Sequence, residues 1–220
     1  MLWSPNTQLH YPFQNTATDY SGNARNGTVN GSGVYATKPN GGRCLYFDGV
    51  GDYVATPSFG LSGTVVVFAA DVRCKKYTDY QVLFSKSSTF MLLRLPSPSA
   101  DEYLRWYYGN PGQQYAQAVI LTSAYEDVWL HLCVACDYDG KMCYFYRNGV
   151  LIDSVVLSGT PVFPTSSATT YLGSYTDGTS YLLQASYLAN VQLWTLATMP
   201  AAAQMLANAN RIMLGMNPIW

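Results

Sequence analysis

Few side chains in this sequence could carry out acid–base or nucleophilic chemistry. Among 220 residues there are two histidines, His10 and His131, and two glutamates, Glu102 and Glu126. No G-x-S-x-G sequence is present to expose a nucleophilic serine at a strand–helix turn. Glu126 precedes Asp127 in a predicted turn, where we expect both to be solvated. We therefore predict that the protein is not an enzyme and that His131 is structural and not a catalytic base.

The five cysteines do not form a pattern typical of disulfide-rich or metal-binding proteins. Cys133 and Cys136 match C-x-x-C, but residues three apart on a strand point to opposite faces and lie about 10 Å apart. We predict that all five are small buried thiols, and that Cys136 and Cys143 are the one pair to test for a cross-strand bond. The five are Cys44, Cys74, Cys133, Cys136 and Cys143.

Aromatic side chains form the candidate ligand-binding surface. They make up 15% of the chain, and Trp106, Tyr107, Tyr108 and Tyr115 flank a Pro-Gly turn at 111–112. Alternation along a strand places Trp106 and Tyr108 on one face and Tyr107 on the other. Tyrosine and tryptophan rings stack on sugars and are enriched at protein interfaces. The alternative for each ring is packing in the core.

The composition excludes some partners and favours others. Charged residues are 11% of the chain and the net charge is -1, whereas soluble domains usually carry about 25% charged residues. No basic patch suits nucleic acid, and no apolar run is long enough to span a bilayer. The first residues have no signal-peptide pattern, so we expect a product made in the cytoplasm, or one from which a leader has been removed. The low charge indicates a surface that meets other protein chains.

A hairpin at residues 129–149 is the strongest structural prediction. Asp139-Gly140 separates two β-rich runs, which is typical of a type I′ turn. The resulting register places Cys136 opposite Cys143. Leu130 to Cys136 then alternate between two faces that are both mostly apolar, so we expect the hairpin to lie inside a stack of sheets.

Short strands punctuated by turns follow one another along almost the whole chain. About a dozen strands without βαβ alternation predict an all-β sandwich or jelly roll. The segment 15–38 is turn-rich and has no predicted strand. The other predicted strands are Leu9–Gln14, Arg43–Asp48, Asp52–Thr56, Gly63–Arg73, Gln81–Ser85, Phe90–Leu95, Tyr103–Tyr108, Ala116–Leu121, Val150–Leu157, Thr169–Ser174 and Leu188–Trp194.

The pattern changes near the end of the chain. Pro200 suits the first turn of a helix, and Met205, Ala209, Ile212 and Met213 fall on one apolar stripe. We predict a short C-terminal helix and an apolar tail, 216–220, that packs on its own domain or on a neighbouring subunit. Residues 1–220 are predicted to form a single domain, with a core at about 9–197 and the helix and tail at 198–220.

Several sequence blocks together resemble laminin G-like domains of the concanavalin A-like lectin/glucanase superfamily. Residues 19–28 (DYSGNARNGT) are similar to the opening loop of that family, and 44–54 (CLYFDGVGDYV) to its F-D-G-x-x-D-Y-V block. Trp129-Leu-His131, residues 138–140 (YDG) and residues 146–149 (YRNG) match its hairpin, and Tyr171-Leu-Gly173 a later strand. The ending resembles phage-encoded members. The resemblance implies a two-sheet antiparallel jelly roll in which Trp129 and Phe47 fill the core.

The resemblance also implies a cofactor, because many relatives bind calcium near the opening loop. Calcium prefers clustered oxygen ligands, and the candidate ligands here are Asp19, Asn23, Asp48 and Asp52. The alternative is that Asp19 caps a turn and that Asp48 and Asp52 shape the bend at Gly49–Gly51. Retaining glucanases of this superfamily carry an E-x-D-x-x-E strand that the chain lacks, which again argues against glycoside hydrolysis.

Three functions remain open at this point. The first is a non-enzymatic, lectin-like structural protein on the surface of a phage virion, as a capsid decoration, a tail-fibre or baseplate part, or a receptor-binding module. Its partners would be virion proteins, copies of itself, and cell-surface glycans. The second is a free calcium-dependent lectin, and the third is a glycoside hydrolase.

Overall fold

A computed structural model describes residues 6–75, 80–86, 90–95, 102–108, 114–121, 125–175, 178–180 and 182–201, together with Gln204 and Asn208. Fifteen strands, numbered here in chain order, form two antiparallel sheets. The strands are β1 Thr7–Tyr11, β2 Thr28–Asn30, β3 Tyr35–Thr37, β4 Arg43–Phe47, β5 Tyr53–Ala55, β6 Val65–Arg73, β7 Gln81–Lys86, β8 Phe90–Leu95, β9 Glu102–Tyr108, β10 Tyr115–Leu121, β11 Leu130–Asp137, β12 Met142–Arg147, β13 Val150–Val156, β14 Thr170–Leu172 and β15 Ser186–Leu196.

The larger sheet has the order β13-β12-β11-β6-β15-β4-β3, and the smaller has the order β10-β9-β8-β7-β14-β5-β2. In the larger sheet β1 and β4 pair with different halves of the long strand β15. A register shift in β15 falls between Ala189 and Gln192, where Asn190 has a φ of 48°. The predicted two-sheet antiparallel sandwich is confirmed.

The core lies between the sheets. Phe68 on β6 and Phe84 on β7 meet across it with ring centroids 4.9 Å apart. The indole of Trp106, on β9, donates a hydrogen bond of 3.3 Å to the hydroxyl of Tyr138, at the end of β11. Phe47 is fully buried in the same core, as predicted.

The larger sheet is apolar on both faces along β6 and β11. The even-numbered residues of β6, such as Val66 and Phe68, pack in the inter-sheet core. Val65 and Val67 belong to a second buried cluster, on the outer face, that also contains Cys133, Ala135 and Trp194. Strand β11 of the central hairpin is therefore buried on both faces, as predicted, whereas β12 is only partly buried. Asp71 and Arg73 continue the outer-face series of β6, so the strand brings charged side chains beside an apolar cluster.

The central hairpin has the predicted register but not the predicted turn. Cys136 faces Cys143, and all five cysteines are free thiols, with Cys74 partly exposed and the others buried. Positive φ falls on Lys141, at 53°, and not on Asp139 or Gly140. The carboxylate of Asp137 accepts the N–H of Gly140 at 2.9 Å, which fixes a different loop conformation, so the type I′ prediction is wrong.

The turn-rich segment contains two strands, β2 and β3, that the sequence did not predict, because three-residue strands carry too little alternation to be recognised.

Of the predicted C-terminal helix, the structure describes only Gln204 and Asn208, both helical; the rest of it and the tail lie outside the described residues. Among the described residues, no helix has the length and apolarity needed to cross a membrane.

Candidate functional site

A cleft of about 390 Å³ opens on the outer face of the larger sheet. Its floor consists of side chains from β6 and from the start of β11. Its walls are the β3–β4 turn, the β12–β13 turn and the ring of Trp129. The lining residues are Lys38, Pro39, Asn40, Asp71, Trp129, Leu130, His131 and Asn148.

Asp71 and His131 form the floor because they are direct neighbours in the β6–β11 register. Asp71 Oδ1 lies 2.8 Å from His131 Nδ1. A carboxylate only accepts hydrogen bonds, so Nδ1 carries the proton, and in the neutral form of the ring Nε2 is an acceptor. His131 Nε2 is buried and has no hydrogen-bond partner. Trp129 Nε1 is a second buried polar atom of the lining residues that has no hydrogen-bond partner.

Lys38 completes an ion pair over the same floor. Its Nζ donates to Asp71 Oδ2 at 2.7 Å and lies 4.9 Å from the centroid of the Trp129 ring. Burial raises the pKa of Asp71, but the hydrogen bonds from His131 and Lys38 outweigh burial and lower it. Asp71 is therefore a carboxylate near neutral pH, and its charge balances that of Lys38.

Asn148 fixes the position of His131 through the backbone. Its side-chain oxygen accepts the N–H of His131 at 2.9 Å, and its own N–H donates to the carbonyl of His131 at 2.8 Å. Asn148 has a φ of 49° and Gly149 a φ of 75°, left-handed conformations that asparagine and glycine adopt most readily. The Asn148-Gly149 turn therefore also holds the floor of the cleft in place.

The structure divides the four predicted calcium ligands into two loops. In the first, the Asp19 carboxylate accepts hydrogen bonds from the backbone N–H groups of His10, Ser21 and Arg25 and from the Ser21 hydroxyl. Asn23 donates its amide to the carbonyl of Thr7 at 2.8 Å. These contacts tie the opening loop to β1, which is the turn-capping alternative considered for Asp19.

Asp48 and Asp52 lie together in the second loop, around the bend at Gly49–Gly51. The buried Asp52 carboxylate accepts the N–H and hydroxyl of Ser32 and the N–H of Asp48. Burial raises the pKa of Asp52, but these hydrogen bonds outweigh it and lower the pKa. Within the described residues there is no group of three or more His, Cys, Asp or Glu side chains suited to a metal ion. Calcium binding stays a prediction.

The predicted aromatic platform is also divided. Trp106 is fully buried, and Tyr108 is buried with its hydroxyl accepting the N–H of Ser158 at 2.6 Å. A ligand cannot reach these two rings in this conformation, because both lie on the inner face of β9. Tyr107 and Tyr115 face outward with centroids 5.5 Å apart, so only these two remain as candidate ligand contacts.

Sequence reasoning missed most of the cleft. Trp129 was expected in the core, but it lies partly exposed on the outer face and lines the cleft. The reason is that it shares a face with His131 and not with Leu130. Asp71 is a signal in the sequence that could have indicated the cleft, since it is the one acidic residue of β6 and follows the apolar run 65–70.

Residues 48–202 match the laminin G family model of the concanavalin A-like lectin/glucanases superfamily. The chain belongs to this family. The resemblance found in the sequence motifs is thereby confirmed at the level of the superfamily, and the all-β sandwich is the fold expected for its members. The phage-encoded type stays a prediction, and no curated protein sequence matches the chain.

Several solved structures share the fold of this family member. Domain 4 of AbnA, an extracellular arabinanase from Geobacillus stearothermophilus solved with arabinotriose, is 17% identical with a TM-score of 0.71, covering 94% of this chain and 98% of that one. The receptor-binding domain of botulinum neurotoxin mosaic serotype C/D is 12% identical with a TM-score of 0.69, covering 96% of this chain and 51% of that one. Botulinum neurotoxin type C depends on two ganglioside molecules to enter cells. Its structure is 12% identical with a TM-score of 0.69, covering 94% of this chain and 51% of that one. The chain therefore spans about half the length of the toxin chains that it matches.

Proposed function

We propose that this laminin G-like domain binds glycans without cleaving them, and that the cleft at Trp129 and His131 is the binding site. The observation that carries the proposal is the unpartnered Nε2 of His131, buried beside an aromatic wall. A buried polar atom without a partner costs stability. A sugar hydroxyl donating to Nε2 would remove that cost, and the ring of Trp129 offers an apolar surface for the C–H face of a sugar.

The composition of the cleft suits a small hydroxyl-rich ligand. Pockets of this size combine an apolar lining with a few fixed polar groups that orient the ligand. Here the fixed groups are the Lys38–Asp71 pair, His131 and the Asn148 turn. All of them are held by hydrogen bonds within the protein, so they need little reordering when a ligand binds.

The same residues favour binding over catalysis. A histidine oriented by an aspartate resembles the base of a catalytic triad, but a triad also needs a nucleophile in hydrogen-bond reach. The described lining residues supply no hydroxyl or thiol, and Asp71 is the one carboxylate among them. Glycoside hydrolysis requires two. We therefore propose that the Asp71–His131 pair orients a ligand and does not activate one.

Two structural relatives support the proposal by analogy. Domain 4 of AbnA was solved with arabinotriose, and botulinum neurotoxin type C interacts with ganglioside molecules. Both proteins share the fold and recognise sugar-containing ligands, although their sequence identity to this chain is low. Calcium would be an additional ligand of the Asp48–Asp52 loop in this proposal and is not needed for the cleft.

We also propose, from the sequence, that the domain acts on the surface of a phage virion. The charged fraction of 11% supports extensive contact with other protein chains, as virion proteins have. Mass spectrometry and antibody labelling of purified virions would test this role. Detection of the protein only in soluble lysate, after virions have been removed, would contradict it.

A glycan array followed by calorimetry of the strongest ligand tests the main proposal. Arabinotriose and ganglioside oligosaccharides belong on the array because of the relatives. Trp129→Ala should weaken binding about tenfold or more, since it removes the aromatic wall. Tyr115→Ala removes an exposed ring from the other sheet and should leave the affinity unchanged. Each variant is first checked for native circular dichroism, with Trp129→Phe in reserve if the alanine variant misfolds.

Three results would decide between the sites. Loss of binding in the Trp129 variant alone supports the cleft. Loss in the Tyr115 variant alone moves the site to the Tyr107–Tyr115 pair and overturns the assignment to the cleft. If the folded wild-type protein binds no sugar on the array, with or without calcium, the glycan-binding proposal is refuted.

A further inference from the structure

A row of three aromatic rings extends from the cleft across the outer face of the larger sheet. Trp129 and Tyr187 have ring centroids 6.1 Å apart, and Tyr187 and Tyr46 have centroids 4.9 Å apart. Tyr187 on β15 pairs in register with Tyr46 on β4 and with Arg73 on β6. The three residues, called here the aromatic row, therefore run across the strands and not along them.

The neighbouring rings of the aromatic row are tilted against each other. The planes of Trp129 and Tyr187 differ by 49°, and those of Tyr187 and Tyr46 by 45°. Each of the three residues is partly exposed. Successive units of a bound chain can therefore each meet one ring.

The charges beside the aromatic row cancel. Arg73 lies over the ring of Tyr187 at 5.3 Å, and its guanidinium forms two hydrogen bonds of 2.9 Å with the carboxylate of Asp127. Lys38, over Trp129, is paired with Asp71. Neither cation is available as an unpaired charge for an anionic ligand. Electrostatic complementarity therefore favours an uncharged ligand.

We infer that the ligand of this site is an uncharged linear oligosaccharide that lies across the strands, with one unit in the cleft and the following units on Tyr187 and Tyr46. This inference rests on the proposed glycan-binding function and adds the length, charge and direction of the ligand. The centroid separations are comparable with the length of one sugar unit. A chain of three units can therefore contact every ring of the aromatic row.

The test is a calorimetric series built on the sugar that binds best on the array, from the monosaccharide to the tetrasaccharide. Affinity should rise at the disaccharide and again at the trisaccharide, by about three- to tenfold per added unit, since each adds one ring contact. It should then level off at the tetrasaccharide. An oligomer of the corresponding uronic acid should bind more weakly than its neutral counterpart at the same length.

Tyr46→Leu separates the aromatic row from the cleft. Leucine keeps an apolar side chain on β4, so the fold should survive. This variant should bind the monosaccharide as the wild type does and lose the gain at the trisaccharide. Tyr187→Leu provides a second variant if the first does not fold, and it should lose the gain at the disaccharide.

The outcomes distinguish the extended site from the glycan-binding cleft on which it rests. If the monosaccharide and the trisaccharide bind equally, or if Tyr46→Leu leaves the length dependence intact, the extended site is refuted while the glycan-binding cleft stands. Preferential binding of the uronic acid oligomer would likewise overturn it. If no sugar binds, both fail.

Discussion

Replacing Asp71 by asparagine should destabilise the protein far more than the same replacement of a nearby aspartate. The Asp71 side chain is 15% exposed and accepts hydrogen bonds from Lys38 and His131. Asparagine has nearly the same shape, so the substitution removes a charge without opening a cavity. What it leaves behind is the Lys38 ammonium, 14% exposed, without its carboxylate.

The expected cost follows from burial. A hydrogen bond to a charged group contributes about 1.5–3 kcal/mol, and removing one partner of a buried ion pair costs about 3–5 kcal/mol. Lys38 can turn part of its side chain toward solvent, which recovers some of this cost. We expect a loss of about 2–4 kcal/mol in the free energy of unfolding, or a fall in Tm of about 5–15 °C for a chain of this size.

The matched control is Asp127→Asn. Asp127 pairs with Arg73 at 2.9 Å, but the two side chains are 37% and 32% exposed. Solvent screens a pair of this kind, so the expected loss is about 1 kcal/mol or less. Asparagine also tolerates the φ of 57° at this position. The two variants therefore differ mainly in how deeply the ion pair is buried.

Urea unfolding followed by tryptophan fluorescence measures both variants at pH 7. Adding Lys38→Met to Asp71→Asn should restore part of the lost stability, because it removes the unpaired ammonium. Equal, small losses in the two single variants would refute the reasoning, as would a failure of the double variant to recover.

The pH dependence of stability gives a second check. The lowered pKa of Asp71 contributes stability that is present at neutral pH and lost as the pH falls through that pKa, and Asp71→Asn should remove this contribution.

Three further predictions concern other parts of the fold. Gly173→Ala should cost about 3 kcal/mol in urea unfolding, since φ is 80° and the new Cβ would lie 2.4 Å from the buried ring of Phe47; an unchanged midpoint would contradict this packing. Burial lowers the pKa of His10 to about 4, so the unfolded chain takes up a proton that the folded chain does not, and stability should fall by up to about 3 kcal/mol as the pH drops from 6.5 toward 4. His10→Gln should flatten that decline, and an identical decline in the variant would show that His10 is not its cause. In a thiol assay of the native protein, only the partly exposed Cys74 should react quickly, because the other four thiols are buried and burial raises the pKa of Cys133 to about 12; several fast thiols would disprove it.

The central hairpin shows how far local pattern carries a structural prediction. Its register, with Cys136 opposite Cys143, follows from the spacing of the turn and the alternation of side chains, which are both local properties. The conformation of its turn does not, because the Asp137 carboxylate can accept the Gly140 N–H and move the left-handed residue to Lys141. Side-chain hydrogen bonds of this kind compete with turn propensity and are not visible in residue type alone.

The acidic residues of the two predicted calcium loops show a different limit of prediction from sequence. The sequence indicated a turn at Asp19 and a bend at Gly49–Gly51, although it placed Asp48 and Asp52 at the ends of strands that stop one residue short of them. It did not indicate that each loop would satisfy its own carboxylate, with Ser21 in one and Ser32 in the other. A clustered acidic motif is equally consistent with a metal site and with a hydrogen-bonded turn until the donors around it are known.

The sequence by itself determined the sandwich class, the family and most strand positions, because alternation, turn residues and motif order are all carried along the chain. Alternation along a strand also places Trp129 and His131, two residues apart, on one face. The tertiary structure alone decided that this face is the outer one, and that Lys38 and Asp71, distant in the chain, meet there. The physical reason is that β6 and β11 are distant in the chain, and the pairing of distant strands, unlike the register of a hairpin, depends on long-range contacts that no local pattern encodes.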